Sequence, residues 1–549
     1  MDDMTADRLL RRFTQLEAQR QPLIAHWRDV FDHMAPERSS GWYDSNFMGV
    51  ADTASAQRAT LQDSTAIDGM EVLKSNISSG MTPENSRWFA LDAGEDDEDA
   101  TRWMDGAADA LFAWINAAGF SATANECYSD LLPAGWFVLY IDEARDPRGQ
   151  VIGGYNFETW PLHQCYVSSS RAGGRVDIIT RRWFPTVEQV VSEYGLDKVS
   201  ERVRTLYLDG KYADTIELLW CIEPQTVGRT GILARNKPFS STHMEKSGKH
   251  ILRKSGYDEF PCAVPRWRLV PGTSYATGIG SNVLPDTKTL NQIIRDELMS
   301  LRIAVGGMWK ATDDGVLNPR TVKIGPLKVV MVADINNFVP LQTGANFNVG
   351  FSKQETLQGN IRRALLSDML SPVGGPVRSA TEVAQRVNQI RSLLAPILGR
   401  LQQEYLQVVI ERCFNIAYRS GALVAKLGPL PDSLAGGGFE VRYISPLARS
   451  QKQEEVTAID AHLMGLLEIA KATGDATVLD GVKLDPAMYE KALALGMPAD
   501  LLRGPKELAQ KRQMDLQNQQ AAQQAQQQQE LQTAAATASI DVAAKSAAA

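Results

Sequence analysis

The stretch Ser371–Arg386, "SPVGGPVRSATEVAQR", sets two glycines and two prolines between two segments with a helical pattern. Before it, Leu357, Ile361 and Leu365 recur every four residues, the spacing of one helix face. Ser352-Lys-Gln-Glu355 has the form of a capping box, in which the hydroxyl and the carboxylate satisfy each other's free backbone N–H groups. A helix is therefore expected to open at Ser352 and to stop by Pro372. After the stretch, Ser379-Ala-Thr-Glu382 repeats the capping pattern. Val383, Val387, Ile390, Leu394, Leu401, Tyr405 and Val408 then continue a helix to about Ser420, where Gly421 is a natural C-cap. Pro396 and Gly399 are expected to kink it. At 1.5 Å per residue such a helix would span about 60 Å, which points to an elongated fold. Taken alone, the stretch between the two helices is an ordinary helix turn.

Working back towards the N-terminus, a third helix is expected over Thr287–Val305. Leu290, Ile294, Leu298, Leu301 and Val305 form its apolar stripe, and Asn291, Arg295, Asp296 and Arg302 face elsewhere. Residues 306–350, including "TVKIGPLKVVMV", read as strands broken by Gly and Pro. From about 136 to 270, runs such as "WFVLYID", "VDIITRRWF" and "TIELLWCIE" are short, β-branched and aromatic, which are strand signals; one helix is expected at Val187–Tyr194. Residues 5–35 and 60–80 read as helices, the first interrupted or kinked at Pro22. The acidic run Glu95–Asp99 precedes another, where carboxylates suit the exposed N–H groups of a helix start. The fold class is α+β. The last residues, from about 509, are Gln/Ala-rich, with few large apolar groups to anchor a helix, so disorder or helix formed only by association is expected.

The chain has 549 residues, enough for several domains or one elongated multi-part protein. No apolar run reaches the roughly 18 residues of a membrane helix, so no membrane anchor is expected. The start "MDDMTADRLLRRF" carries acids where a signal peptide carries basic residues, and export is not expected. Five cysteines, Cys127, Cys165, Cys221, Cys262 and Cys413, lie far apart, which suits buried thiols rather than a zinc site or a disulfide framework. A net charge of −8 argues against a dedicated, tight nucleic-acid binder. There is no Walker A pattern, no HExxH and no GxSxG. His26 and His33 lie seven apart and share a helix face, but a surface or core role fits them better than a metal. No catalytic residue, metal or cofactor is expected.

Several segments together resemble the head-to-tail connector, or portal, proteins of short-tailed, podovirus-type bacteriophages. They are "IDGMEVLKSNISSGMTPENSRWFAL" (67–91), "YSDLLPAGWFVLYID" (128–142), "VDIITRRWFPTVEQVVSEYG" (176–195), "FPCAVPRWRLVPGTSYATGIGSNVLPDTKTLNQI" (260–293), "RSATEVAQR" (378–386) and "YISPLARSQKQEE" (443–455), in the family's order. One departure is visible: the family often has Tyr-Gly-Arg before the "LPD" segment, and this chain has Tyr275-Ala-Thr-Gly278.

The resemblance implies a homo-oligomeric ring, usually of twelve subunits, at one capsid vertex of the virion, assembled in the host cytoplasm. Double-stranded DNA passes its channel without sequence readout. Terminase, tail adaptors, capsid and scaffolding proteins are the implied partners. Mapped onto this chain, residues 1–286 are the wing, 287–305 and 351–370 the stem helices, and 306–350 the clip. The tunnel loop is 371–379, the long wing helix and a strand 380–446, the crown 447–508, and the tail 509–549. Val373, Gly374, Gly375, Pro376, Val377 and Arg378 would then face DNA: the glycines allow close backbone approach, and Arg378 meets phosphate. Lys323 and Lys328 are candidate basic groups of the clip, equally readable as a solvated strand face. Leu290, Ile294, Leu298, Leu301, Leu357, Ile361 and Leu365 are the expected stem-packing residues. The competing functions are a nucleic-acid-processing enzyme, which needs a carboxylate or histidine cluster that the sequence does not present, and a soluble scaffold or adaptor that associates through the Gln-rich tail.

Overall fold

The computed structural model describes residues 2–43, 57–92, 98–145, 150–225, 236–306, 309–311, 338–340, 347–370, 395–431, 434 and 440–443. Beyond these it describes 460–466, 468–469, 471–472, 488, 491–492, 508, 511–515, 517–518 and 520, all helical. The chain divides into two compact units, Met1–Asn85 with Leu111–Ala422, and Ser86–Ala110 with Leu423–Ala549.

The first unit is built on an antiparallel five-stranded meander, in the order β4 (Cys165–Ser168), β5 (Ile178–Trp183), β6 (Leu218–Pro224), β7 (Phe239–Glu245), β8 (His250–Tyr257). Helix α1 (Asp2–Met34) lies on this sheet and buries Leu9, Phe13 and Leu16 against Tyr166, Leu219 and Met244. It runs through Pro22 without interruption, because its apolar face is held by the sheet on both sides of that residue. Arg20 of α1 is buried with its guanidinium 4.4 Å from the Tyr166 ring centroid and 5.1 Å from that of Trp42, and it donates to the carbonyls of His163 and Cys165. A second sheet, ordered β3 (Val151–Thr159), β2 (Leu139–Arg145), β9 (Cys262–Ala263), continues the core through Val138, Tyr140, Trp160 and Trp220. All five cysteines are buried free thiols.

Two helices flank the meander. The expected one, Val187–Tyr194, opens on a Thr186–Gln189 capping box; the other, Glu201–Leu208, was not expected. Helix Phe120–Ala134 precedes β2, and Gly135 after it takes φ +87°. The backbone of Gly278 passes so close that a Cβ there would sit 2.2 Å from the Leu132 carbonyl oxygen. That approach is the structural reason for glycine where the resemblance marked a departure.

Helix α2 (Thr65–Met81), helix α3 (Gly280–Gly306) and helix α4 (Phe347–Ala364) pack together, and a short helix, Ser367–Leu370, follows. Two expectations need correction. Helix α3 begins at Gly280, seven residues before Thr287, because Val283, Leu284 and Thr287 are already buried in its first turns. Helix α4 begins at Phe347, so Ser352-Lys-Gln-Glu355 is not a capping box. Ser352 sits inside the helix, and its carbonyl accepts the Thr356 hydroxyl at 2.8 Å. Serine and glutamate three apart are tolerated within a helix, and packing against α3 extends it past the local stop signal. Between α3 and α4, the strands Trp309–Ala311 and Phe338–Pro340 pair antiparallel.

Residues 395–401 are helical, and the helix continues through a π turn, Gln402–Leu406, into α5 (Gln407–Arg419). An irregularity within the described part of this helix lies at the π turn; the turn that Pro396 would kink lies outside the described residues, and Gly399 sits within regular helix. Gly421 ends the helix with φ +75°, donating to the Tyr418 carbonyl, as expected of a C-cap.

In the second unit, strand Phe89–Asp92 pairs antiparallel with Glu440–Tyr443. Arg87 bonds Asp105 at 2.6 Å, and the Trp103 indole donates to the Gly428 carbonyl at 3.3 Å.

Candidate functional site

The paired helices α3 and α4 are the part of the described chain built to present a surface. Their lower halves are locked into the body by one polar clamp. Asn291 Oδ1 accepts from the backbone N–H groups of Gln62 at 2.7 Å and Asp63 at 3.3 Å, and its Nδ2 donates to the Thr287 carbonyl. Gln358 Nε2 donates to Asp63 Oδ2 at 2.8 Å, while Asp63 Oδ1 accepts from the Thr65 N–H and opens α2. Each polar group introduced into this junction thus has a partner, as burial requires. Around the clamp, Leu290, Leu357, Ile361 and Leu365 are buried. Leu365 lies over Gly69, where a Cβ would meet its Cδ1 at 2.6 Å.

The strand pairing that follows α3 and precedes α4 turns the chain back, so the two helices run in opposite directions. Two helical turns beyond Asn291 lies Leu298, and two turns before Gln358 lies Phe351, so both project past the clamp towards the same end. There the side chains are in solvent: Leu298 is 42% exposed, Leu301 51%, Met299 64% and Phe351 57%. Large apolar groups left in solvent on this helix pair mark an interaction surface.

The structure therefore divides the expected stem-packing residues. Leu290, Leu357, Ile361 and Leu365 pack within the chain, Ile294 is half-buried, and Leu298 and Leu301 are not buried by this chain. Of that stripe, Leu290 is buried within the single chain, while Leu298 and Leu301 are left to solvent in it. Val373, Gly374, Gly375, Pro376, Val377 and Arg378 lie outside the described residues, as do Lys323 and Lys328. Sequence reasoning missed Asp63 and Gln358 as clamp residues and Met299 and Phe351 as surface groups. Asn291 carried a signal, a polar side chain off the apolar stripe beside a fully buried leucine.

A second cluster surrounds the π turn. Glu404 holds Arg266 by three bonds, from the backbone N–H and Nε at 3.1 Å each and from Nη2 at 2.7 Å. Tyr405 is buried against Phe137, Tyr128 and Phe120, with ring centroids 5.0, 6.1 and 6.3 Å away. Beyond the turn, the buried Arg412 bonds Glu259 at 2.8 Å, and Tyr155 donates to the Cys413 carbonyl at 3.0 Å. A cavity of about 240 Å³ lies beside Glu404, Val408, Glu411 and Arg412, with Arg175, Phe260 and Cys262 also on its wall.

The remaining titratable groups are structural in their surroundings. Burial lowers the His163 pKa to about 4, with the Arg20 and Arg181 cations adding to the effect. Burial raises that of Asp130 to about 6, against the pull of Arg38 at 2.9 Å. His26 bonds Ser281 in the first turn of α3, and His33 bonds the Asp29 carbonyl of its own helix. Among the described residues, no group of three or more His, Cys, Asp or Glu side chains is placed to hold a metal ion. No described helix is long and apolar enough to cross a membrane.

The family described as bacteriophage head to tail connecting protein matches residues 6–502. The portal protein of Salmonella phage epsilon15 is 26% identical over 543 residues, covering 95% of this chain and 93% of its own. The probable portal protein of Bordetella phage BPP-1 is 24% identical over 527 residues, covering 94% and 92%. Among solved structures, a chain from the virion of a native gene transfer agent particle aligns over 76% of this chain and 91% of its own, at 10% identity and a TM-score of 0.33.

Proposed function

The chain belongs to the family of bacteriophage head-to-tail connecting proteins, and from that premise we propose how it serves as the portal of a capsid vertex. Copies close into a ring, of twelve subunits by the family's habit, and double-stranded DNA passes through the centre, inward during packaging and outward at ejection. Terminase docks on the ring first and tail adaptors later, while capsid and scaffolding proteins hold it at the vertex after assembly in the host cytoplasm. The role is that of a structural conduit and not of an enzyme. The observation that carries this reading is the family match across residues 6–502, joined by two portal-named relatives that each cover more than nine tenths of this chain.

The exposed end of α3 and α4 supports it. Leu298, Leu301, Met299 and Phe351 gain cover when neighbouring copies stand side by side, each offering one face and receiving another, as in a closed cyclic assembly. The net charge of −8 also suits transit, since every phosphate neutralised by a basic wall adds affinity and slows sliding. In this reading Val373–Arg378 form the loop nearest the DNA, with Arg378 repeated around the channel, and Lys323 and Lys328 belong to the clip. Deleting Val373–Val377 tests the loop: rings should still form, and packaging or retention of DNA in assembled heads should fall. Packaging and retention at the level of the intact chain would remove the loop from the account. Arg378→Ala separates out the charge, whose effect should weaken as salt rises.

A further inference from the structure

We propose that the π turn at Gln402–Leu406 is a latched hinge in the long helix, with the Arg266–Glu404 ion pair as its latch. The helix buries Leu401, Tyr405, Val409 and Cys413, each four residues from the last. Four residues overshoot a turn of 3.6 by about 40°, so three such steps would carry Cys413 about 120° around the axis from Leu401. One extra residue in the turn takes back about 100°. The two halves of the helix are thus each packed but out of register by one residue, and the π turn absorbs the difference.

The halves are held unequally. Downstream, Arg412 is fixed by Glu259 and the Ile141 carbonyl, Cys413 by Tyr155, and Arg419 by Glu259. At the turn itself, the charged hold on the body is Glu404 on Arg266. The cavity of about 240 Å³ beside Glu404 and Val408 leaves room on that side, and Arg175 and Arg412 on its wall offer the Glu404 carboxylate a second set of cations. In the open state Glu404 leaves Arg266 for the cavity, the π turn loosens, and residues 395–401 rotate about the helix axis while α5 stays closed. The inference stands on the helix geometry and does not depend on the function proposed above.

Hydrogen–deuterium exchange of the full chain, read by mass spectrometry, tests it. Amides in 402–406 should exchange about 100-fold faster than those of 407–419, although each segment carries buried side chains, Tyr405 and Leu406 in the first and Val409, Ile410 and Cys413 in the second. Glu404→Gln, which keeps the shape and removes the charge, should speed exchange in 395–406 a further tenfold or so and leave 407–419 unchanged. Val408→Phe, which fills the cavity, should slow it. Equal protection across 402–419 in the unaltered chain would overturn the hinge. So would an even rise across 395–419 in Glu404→Gln, because that is the signature of general loosening. Should Glu404→Gln fail to fold, the Val408→Phe comparison decides, and unchanged exchange in 402–406 overturns the proposal.

Discussion

At the scale of single residues, the chain relies on polar groups taken out of water and then satisfied. His163 shows the pH consequence. Its imidazole is buried beside two arginines and has a folded pKa of about 4, below the unfolded value of 6.5. The unfolded chain therefore binds a proton between pH 6.5 and 4 that the folded chain refuses, and stability is lost as pH falls through that window. His243, buried against Trp220, has its pKa shifted in the same direction. Asp130 works the other way: its raised pKa favours the folded state at low pH, and that advantage is lost as pH rises through about 6. A difference measurement isolates the histidine. Relative to His163→Gln, the unaltered chain should lose about 1.4 kcal/mol more per pH unit between 6.5 and 4, read from urea unfolding at a series of pH values. Parallel curves would show that His163 does not titrate between the two states. Little of this was visible in the sequence. Nothing local to Arg20 or Glu404 announces their setting, because the groups they hydrogen-bond lie more than a hundred residues away.

At the scale of elements, the distinction that matters is between apolar residues covered by this chain and apolar residues left for another. Ile361 is fully buried and Leu298 is 42% exposed, although both were read from the same helical spacing. Ile361→Asp should cost the folded chain several kcal/mol, since an unpaired charge would enter a packed site. Leu298→Asp should leave the thermal unfolding of the isolated chain nearly unchanged and weaken assembly. The check is a melting curve and a sedimentation profile for each variant. A large loss of stability from Leu298→Asp, or none from Ile361→Asp, would reverse the division. Periodicity found the helices themselves: Val187–Tyr194 was legible to the residue, and Gly421 marked a true stop. It failed at the start of α4, where a local S-x-x-E pattern was outweighed by packing against α3. It also failed at the π turn, whose signal, three consecutive steps of four residues between buried side chains, is faint until burial is known. Glu201–Leu208 escaped because its apolar side, Val203, Leu206 and Tyr207, spans little more than one turn.

At the scale of the whole molecule, the mixed helix and sheet of the described residues was legible because long apolar periodicities and Gly/Pro punctuation survive without tertiary information, and the family emerged from segments spread along the chain. The tail tests the limits of the folded body. Residues 511–515 are helical with exposed side chains, and the residues after 512 hold few large apolar groups that could bury surface on ordering. In a ring the copies are held together, which raises their effective concentration and favours association of the tails. Truncation after Arg512 should therefore leave assembly and melting temperature nearly unchanged, and should alter events inside the capsid, measured as DNA content per particle. Loss of assembly on truncation would place the tail within the body. The central claim, that this chain is the subunit of a DNA-conducting ring, is tested most directly by electron micrographs of the purified full-length protein. The account predicts closed rings with a central opening wide enough for duplex DNA. A uniform field of single chains, at concentrations where the chain is folded, would contradict it.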